Sequence, residues 1–328
     1  MGLPWWRARA QARARAAGGR STHWGLGMRK IHVRLFGVTT VVLPDGATVS
    51  DLGGKKPRQV LEMLALSLGT PVSKDRLVEQ LWGGNPPRSR TATLESYISL
   101  LRRRMGVATG RRSALATTSN GYVLDPSLVE VDVAEFRRLT QPGVASAGSV
   151  AEAGLTRVES AIRLVGGELL ACEPYAEWAV AERVGFDSEF VAACNRAAGW
   201  ALAIGRAQAA VELARRAIGC DEMSESSWQL LIRGLSAAGT RSEALRAYLD
   251  LRHTLVEALG AEPSPVSRDL YLDLLAEERA ESTPVASVNE VKTLLGLLRD
   301  ALDGVPDLDL SPRDRRLTEK AERLVGVA

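Results

Sequence analysis

The sequence has few of the side chains on which metal centres, disulfide frameworks and histidine-dependent catalysis rely. Its 328 residues include three cysteines and three histidines, and the cysteines (Cys172, Cys194 and Cys220) are too few and too scattered for a disulfide framework or a metal-ligand set. A glycine-rich phosphate loop, a paired nucleophile and histidine, and a prominent pair of carboxylates are also missing. We therefore predict that the protein is not an enzyme and has no cofactor, no metal and no catalytic residue.

Long apolar runs are absent as well. No window approaches the roughly 18 uninterrupted apolar residues of a membrane span, and the N-terminal arginines are not followed by the apolar run of a secretory signal. We expect a cytoplasmic protein with no membrane partner. The content of 45% hydrophobic and 25% charged residues is ordinary for a soluble globular protein. The length of 328 residues favours two domains plus tails.

The charge is unevenly distributed along the chain, although the net charge is only +3. Residues 1–30 have seven basic and no acidic side chains, and residues 31–125 have thirteen basic and seven acidic ones. Residues 126–280 reverse the balance, with fifteen basic and twenty-three acidic side chains. A basic first third beside an acidic middle indicates a polyanion-binding module joined to a module of another kind.

The arginine- and alanine-rich residues 1–29 are expected to be a disordered basic extension. Two interpretations remain open for them. They could form an arm that touches DNA phosphates, or translation could begin near Met28, which would make the extension irrelevant.

From Ile31 onward the pattern predicts two short strands and then two helices. Apolar residues alternate with polar ones between residues 31 and 43, which favours a small antiparallel sheet. Helices are predicted over 57–69 and over 74–82, and Ser73 is expected to cap the second one. The glycines and prolines of 83–87 end that helix.

A third helix is predicted over 89–105, and its two faces differ in character. Its buried stripe recurs at helical spacing and consists of Leu94, Tyr97, Ile98, Leu101 and Met105. The opposite face presents Ala92, Ser96, Ser99 and Arg103. Small, polar and guanidinium side chains suit close approach to base edges and phosphates.

A basic turn and a short hairpin follow this helix. Residues 113–117 and 122–124 flank the turn Ser119-Asn120-Gly121, a typical hairpin signal. Between residues 85 and 124, seven arginines face a single carboxylate, Glu95, for a formal charge of +6. Strands, three helices and a terminal hairpin together form a winged helix.

Residues 31–125 resemble the effector domain of OmpR/PhoB-type response regulators, through KDRLVEQLW, SYISLLRRRMG and SNGYVL. Residues 126–278 are similar to the bacterial transcriptional activator domain that follows this effector domain in the Streptomyces antibiotic regulatory protein (SARP) family. In that family the third helix reads direct repeats in the major groove, and the wing contacts the flanking minor groove or backbone.

The resemblance implies a set of DNA contacts in this chain. From the helix it implies Thr93, Tyr97, Ser99, Arg102 and Arg103, and from the wing Thr117 and Tyr122. The outward face, the basic turn and the hairpin tip add further expected contacts: Arg88, Arg90, Ser96, Arg111, Arg112 and Asn120. Two departures matter, because Leu100 and Val123 stand where the family usually has basic residues.

Residues 126–280 predict an all-α helical array. Gly205 and Gly239 are 34 residues apart, as are Ala210 and Ala244, and this helix–turn–helix period is typical of tetratricopeptide repeats. The expected fold is mainly α with a small β part, as a winged helix-turn-helix domain (30–125) followed by this tetratricopeptide-like array (126–280). Residues 281–328 predict a C-terminal helical extension that docks on the array or binds a partner.

The sequence therefore predicts a nucleoid-associated transcriptional regulator, an activator that binds promoter direct repeats through helix 89–105 and wing 113–124. Its expected partners are double-stranded promoter DNA, a second copy of the chain in a homodimer, and RNA polymerase. The alternative is a tetratricopeptide-like interaction adaptor with a degenerate winged helix. Regulation by a small molecule bound between domains also stays open, without assigned residues.

Overall fold

The computed structural model describes residues 30–107, 113–141 and 150–282. The predictions for residues 1–29 and 283–328, and those for Arg111 and Arg112, lie outside the described residues. Among the described residues, those up to Leu270 belong to one compact unit, and a second unit begins at Tyr271. No helix in the described part of the chain is long and apolar enough to cross a membrane.

The first sheet combines strands from distant parts of the sequence. Its strands are β1 (Ile31–Arg34), β2 (Thr40–Val42), β3 (Thr48–Val49) and β7 (Val129–Val131), in the order β3-β2-β1-β7. Strand β1 pairs antiparallel with β2, as expected, and parallel with β7. The alternation in β1 is visible in its burial, because Ile31 and Val33 are buried while Arg34 is exposed.

The three helices of the winged helix follow close to the predicted positions. They are α1 (Lys55–Leu66), α2 (Lys74–Trp82) and α3 (Arg90–Arg104). Helix α1 begins two residues before Pro57, which is tolerated because the first N–H groups of a helix have no intrahelical acceptor. Helix α2 is capped as predicted, since the Ser73 hydroxyl accepts from the Arg76 backbone N–H at 3.2 Å.

A second sheet forms the wing. Its strands are β4 (Val72–Ser73), β5 (Leu115–Thr117) and β6 (Gly121–Leu124), in the order β4-β6-β5. The hairpin of β5 and β6 was predicted, whereas β4 was not. Strand β4 approaches so closely that a Cβ atom on Gly121 would lie 1.9 Å from the Val72 carbonyl oxygen, so that only glycine fits there.

Seven helices make up the rest of the described chain. They are α4 (Asp132–Thr140), α5 (Val150–Leu164), α6 (Glu177–Ala203), α7 (Ala207–Ile218), α8 (Glu225–Ala237), α9 (Arg241–Leu259) and α10 (Pro265–Ser282). From α4 to α9 each helix packs against the next. Gly205 and Gly239, with φ of +74° and +75°, follow α6 and α8, while Ala210 and Ala244 are fully buried. This arrangement confirms the predicted winged helix followed by an all-α array.

The end of β1 joins the winged helix to the helical array. The Gly37 N–H donates to the Glu168 carbonyl at 2.8 Å, and the Leu170 N–H donates to the Leu35 carbonyl at 2.9 Å. The carboxylate of Asp132, at the start of α4, accepts from the Leu35 and Phe36 N–H groups at 2.9–3.1 Å. Burial raises the pKa of Asp132 to about 6 in spite of these hydrogen bonds.

All four phenylalanines of the chain meet at this junction. Phe36 comes from the winged helix, Phe136 from α4, and Phe186 and Phe190 from α6. The Phe186 ring centroid lies 4.9 Å from that of Phe36, 5.0 Å from that of Phe136 and 6.1 Å from that of Phe190. One buried core therefore runs across the predicted domain boundary.

The central ring of this cluster allows a test of the shared core. We expect Phe186→Ala to lower the free energy of unfolding by about 3–5 kcal/mol, because it removes a ring that contacts three others and leaves a cavity. Urea unfolding followed by circular dichroism measures the change. Val184→Ala is the matched control, since Val184 lies on the same helix and is 63% exposed. A loss below about 1 kcal/mol for Phe186→Ala would contradict the shared core.

Candidate DNA-binding surface

Helix α3 is held by one buried face. Leu94, Ile98, Leu101 and Met105 are each at most 2% exposed. Tyr97 is half-buried and stacks on Trp82 at the end of α2, with ring centroids 6.3 Å apart and an interplanar angle of 25°. These contacts fix the rotation of α3 about its axis, so that the opposite face is directed to solvent.

The outward face carries the small and polar side chains predicted for it. Ala92, Ser96, Ser99 and Arg103 are all exposed, and with Glu95 and Leu100 they line an open, shallow surface. The Ser96 hydroxyl donates to the Ala92 carbonyl and the Ser99 hydroxyl to the Glu95 carbonyl, each at 2.9 Å. Because those hydrogens are engaged, both hydroxyl oxygens present acceptor lone pairs to a ligand.

The arginines of this region differ in whether they form an ion pair with another described residue. Arg88, Arg90 and Arg103 are exposed and make no ion pair with any described residue. Arg104 pairs with Asp51 at 2.8 Å. The one carboxylate of the basic stretch, Glu95, is paired with the Lys74 ammonium at 2.7 Å, which offsets its repulsion of a polyanion.

Arg102 connects α3 to the wing. Its Nε and Nη2 groups donate to the Leu115 carbonyl at 2.9 and 2.8 Å, and Nη2 also donates to the Thr117 hydroxyl at 2.8 Å. Strand β5 is an edge strand of its sheet, so the guanidinium satisfies a carbonyl that would otherwise have no partner in the sheet. Arg102 thereby sets the position of the wing relative to α3.

The predicted wing residues occupy different environments. Thr117 and Asn120 are exposed, and the Asn120 carbonyl accepts from the Lys74 backbone N–H at 3.0 Å. Tyr122 is only 3% exposed and has the Lys74 ammonium 5.8 Å from its ring centroid. Burial raises the pKa of Tyr122. Tyr122 thus packs inside the wing and offers little surface to a ligand.

Thr93 lies at the margin of the surface. It is half-buried, and its hydroxyl is 3.3 Å from that of Ser89, the residue just before α3. This contact holds the start of α3, next to Arg90. Thr93 therefore exposes only part of its side chain beside the outward face.

Leu100 has a structural reason to be apolar. A Cβ atom on Gly53 would lie 2.2 Å from Leu100 Cδ2, so the leucine packs directly over this glycine, whose φ is +86°. Val123, the other departure from the family pattern, is half-buried in β6. The Leu100 contact attaches the flank of α3 to the segment that precedes α1.

Lys74 belongs to this region although its place there is not apparent from the sequence. Lys74 contacts Glu95, the Tyr122 ring and the Asn120 carbonyl, which are 21, 48 and 46 residues away in sequence. As a single basic residue at the start of a helix it carries no local signal of these contacts. The same holds for Asp51 and Gly53, whose partners lie on α3.

Two family models match the chain. Residues 52–124 match the C-terminal domain of transcriptional regulatory proteins, and residues 131–275 match the bacterial transcriptional activator domain. The two matches follow each other in the order that the sequence motifs predicted.

Relatives from Streptomyces and Mycobacterium match over about two thirds of the chain. Regulatory protein DnrI of Streptomyces peucetius is 31% identical over 67% of this chain and 83% of its own length. MoaR1 of Mycobacterium tuberculosis is 30% identical over 69% of this chain and 74% of its own length. The solved structure of Mycobacterium tuberculosis EmbR in complex with a low-affinity phosphopeptide superposes with a TM-score of 0.66 and 26% identity, covering 81% of this chain and 72% of that one.

The winged helix with its outward-facing basic surface, the helical array and these relatives lead to one assignment. The chain belongs to the Streptomyces antibiotic regulatory protein (SARP) family of DNA-binding transcriptional regulators.

Proposed function

We propose that this regulator binds promoter DNA by inserting α3 into the major groove, with the wing against the adjacent backbone or minor groove. The observation that carries the proposal is the composition of the outward face of α3, where small and hydroxyl side chains lie beside arginines that make no ion pair with any residue that the structure describes. A major groove about 12 Å wide admits a helix whose exposed side chains are small. The buried stripe on the other face keeps this surface presented.

Distinct roles follow for the exposed side chains. Ser96 and Ser99 are proposed to contact base edges, where their acceptor oxygens suit the amino groups of adenine or cytosine. Arg103 and, at the start of α3, Arg88 and Arg90 are proposed to bind phosphates, as are Arg111 and Arg112.

The remaining predicted residues make contacts within the protein, and we propose that they act partly through those contacts. Arg102 is proposed to act as a positioning residue, which places Thr117 and Asn120 against the DNA backbone. Tyr97, Thr93 and Tyr122 contribute through the small surface that each leaves exposed and through the packing that orients α3 and the wing.

The assembly on DNA is proposed to be a homodimer on direct repeats, with the helical array joining the protomers or contacting RNA polymerase. A head-to-tail arrangement places identical surfaces on successive repeats, so the repeat spacing equals the separation of the two winged helices. Such a protein works in the cytoplasm, associated with the nucleoid. Genome-wide mapping of bound DNA tests this arrangement, because binding sites without a repeated half-site would exclude it.

The competing function is an interaction adaptor that has lost DNA binding. Its support from the sequence was the apolar Leu100 and Val123, but the contact between Leu100 and Gly53 explains the leucine by packing. A mobility-shift assay with the region upstream of the protein's own gene separates the two functions. Absence of any retarded complex at low salt would favour the adaptor.

Arg103 provides the direct test of the proposed recognition surface. We expect Arg103→Ala to weaken promoter binding by about 1–3 kcal/mol and to reduce the salt dependence of binding by roughly one counterion, because a phosphate contact is lost. Fluorescence anisotropy at several salt concentrations measures both quantities. Arg233→Ala removes the same charge from an exposed site on α8 and serves as the control. Equal losses in the two variants would place the effect in the overall charge and not in α3.

Arg102 tests whether the wing is positioned by α3. We expect Arg102→Lys to lower promoter affinity several-fold although the charge is kept, because a lysine cannot reproduce the two hydrogen bonds to the Leu115 carbonyl. Hydrogen exchange of the β5 amides should become faster in the same variant. Arg103→Lys is the comparison, since a phosphate contact tolerates lysine. Wild-type affinity and exchange in Arg102→Lys would reject the positioning role.

A further inference from the structure

Two buried carboxylates lie at the junction between the winged helix and the helical array. Glu62 belongs to α1, and Glu173 belongs to the segment between α5 and α6. Both side chains have 0% of their surface exposed. Isolated charges in such positions are costly unless they are paired and hydrogen-bonded.

Glu173 has the better set of partners. Arg58 Nη2 donates to Glu173 Oε1 at 2.7 Å, and Gln59 Nε2 donates to Glu173 Oε2 at 2.5 Å. The Lys55 ammonium, which is 65% exposed, lies 3.9 Å from Glu173 Oε2. Arg58 and Gln59 therefore tie α1 to the helical array through this one carboxylate.

Glu62 has fewer hydrogen-bond donors around it than Glu173. The Thr39 hydroxyl donates to Glu62 Oε1 at 2.5 Å, while Arg58 Nε is 3.6 Å from the same oxygen. Three buried polar atoms of the cluster have no hydrogen-bond partner: the acceptors Glu62 Oε2 and Gln59 Oε1 and the donor Arg58 Nε. A proton on Glu62 Oε2 would turn one of the two unpaired acceptors into a donor.

The surroundings of Glu62 also favour its protonated form. Burial, together with the charge of Glu173, raises the pKa of Glu62 to about 7, against the opposing effects of the Thr39 hydrogen bond and the Arg58 charge. The other ionisable groups of the cluster are Lys55 and Lys56 on α1 and Cys172 beside Glu173. Lys56 donates to the Leu81 carbonyl, which directs its ammonium to the end of α2.

We propose that Glu62 holds a proton when the winged helix and the helical array are docked, so that the junction is a pH-sensitive joint. It is tight in slightly acidic solution and loosens as the pH rises to neutrality. The sign follows from proton binding: between about pH 4.5 and 7 the folded protein keeps a proton that the unfolded chain has lost, so stability falls as the pH rises through this range. Above about pH 7, Glu62 is ionised in both the folded and the unfolded protein, so its contribution to stability no longer depends on pH.

The test compares urea unfolding of the full-length wild type and Glu62→Gln from pH 5 to pH 8.5. An amide keeps the shape and the acceptor for Thr39 and is neutral at every pH. We expect the unfolding constant of the wild type, divided by that of the variant, to rise with pH by up to about tenfold per pH unit. The total rise should be on the order of a hundredfold, after which the ratio stays constant. Asp132 titrates equally in both proteins and cancels from the ratio.

Glu177→Gln provides the control, because Glu177 is an exposed carboxylate at the start of α6. It should give a pH profile parallel to that of the wild type. A constant ratio for Glu62→Gln across the pH range, or a ratio that falls as the pH rises, would overturn the proposal.

A measurement on the wild type alone keeps the proposal testable if Glu62→Gln does not fold. The Gly37 and Leu170 amides form the backbone hydrogen bonds of the junction, and their hydrogen exchange, corrected for the intrinsic rate, reports its opening. We expect protection of both amides to be lower at pH 8 than at pH 6, with no such change for the Leu43 amide in the β2–β3 turn. Equal protection of the junction amides at the two pH values would also overturn the proposal.

Discussion

The packing of four phenylalanine rings around the end of β1 is the contact on which both halves of the chain depend. Phe36 reaches this cluster from the winged helix, and the other three rings come from α4 and α6, with centroids 4.9–6.1 Å apart. The same strand end receives backbone hydrogen bonds from the segment after α5 and is capped by Asp132. The DNA-binding half is therefore attached to the array by a shared core and not by a flexible linker.

Around this core, hydrogen bonds and ion pairs between polar groups determine which side chains on the surface of α3 can bind a ligand. Several groups beside this surface have partners within the protein: Glu95 pairs with Lys74, Asp51 pairs with Arg104, and the Leu115 carbonyl accepts from Arg102. Arg103, which makes no ion pair within the described part of the chain, is exposed to solvent. Arg103 is thus available to a ligand because the charged and polar groups near it bind one another.

The local features of the sequence predicted most of the architecture. Helical periodicity placed α3 and its two faces correctly, and the Ser73 cap and the Asn120-Gly121 turn marked α2 and the wing. The 34-residue period predicted the array. Contacts between distant residues were not predictable, because nothing local distinguishes Val72 as a strand partner of Tyr122, or Leu100 as the side chain that covers Gly53. The same reason explains why the sequence predicted only a DNA contact for Arg102 and not its hydrogen bonds to the wing.

The parallel pairing of β1 with β7 has a consequence for how this protein is made. A chain that ends near residue 125 has every helix of the winged helix, yet it leaves one edge of β1 without hydrogen-bond partners and Phe36 without the rings that cover it. Such an edge is a template for pairing with other chains. During synthesis on the ribosome, the part of the core around Phe36 can be completed only after Phe190 has emerged.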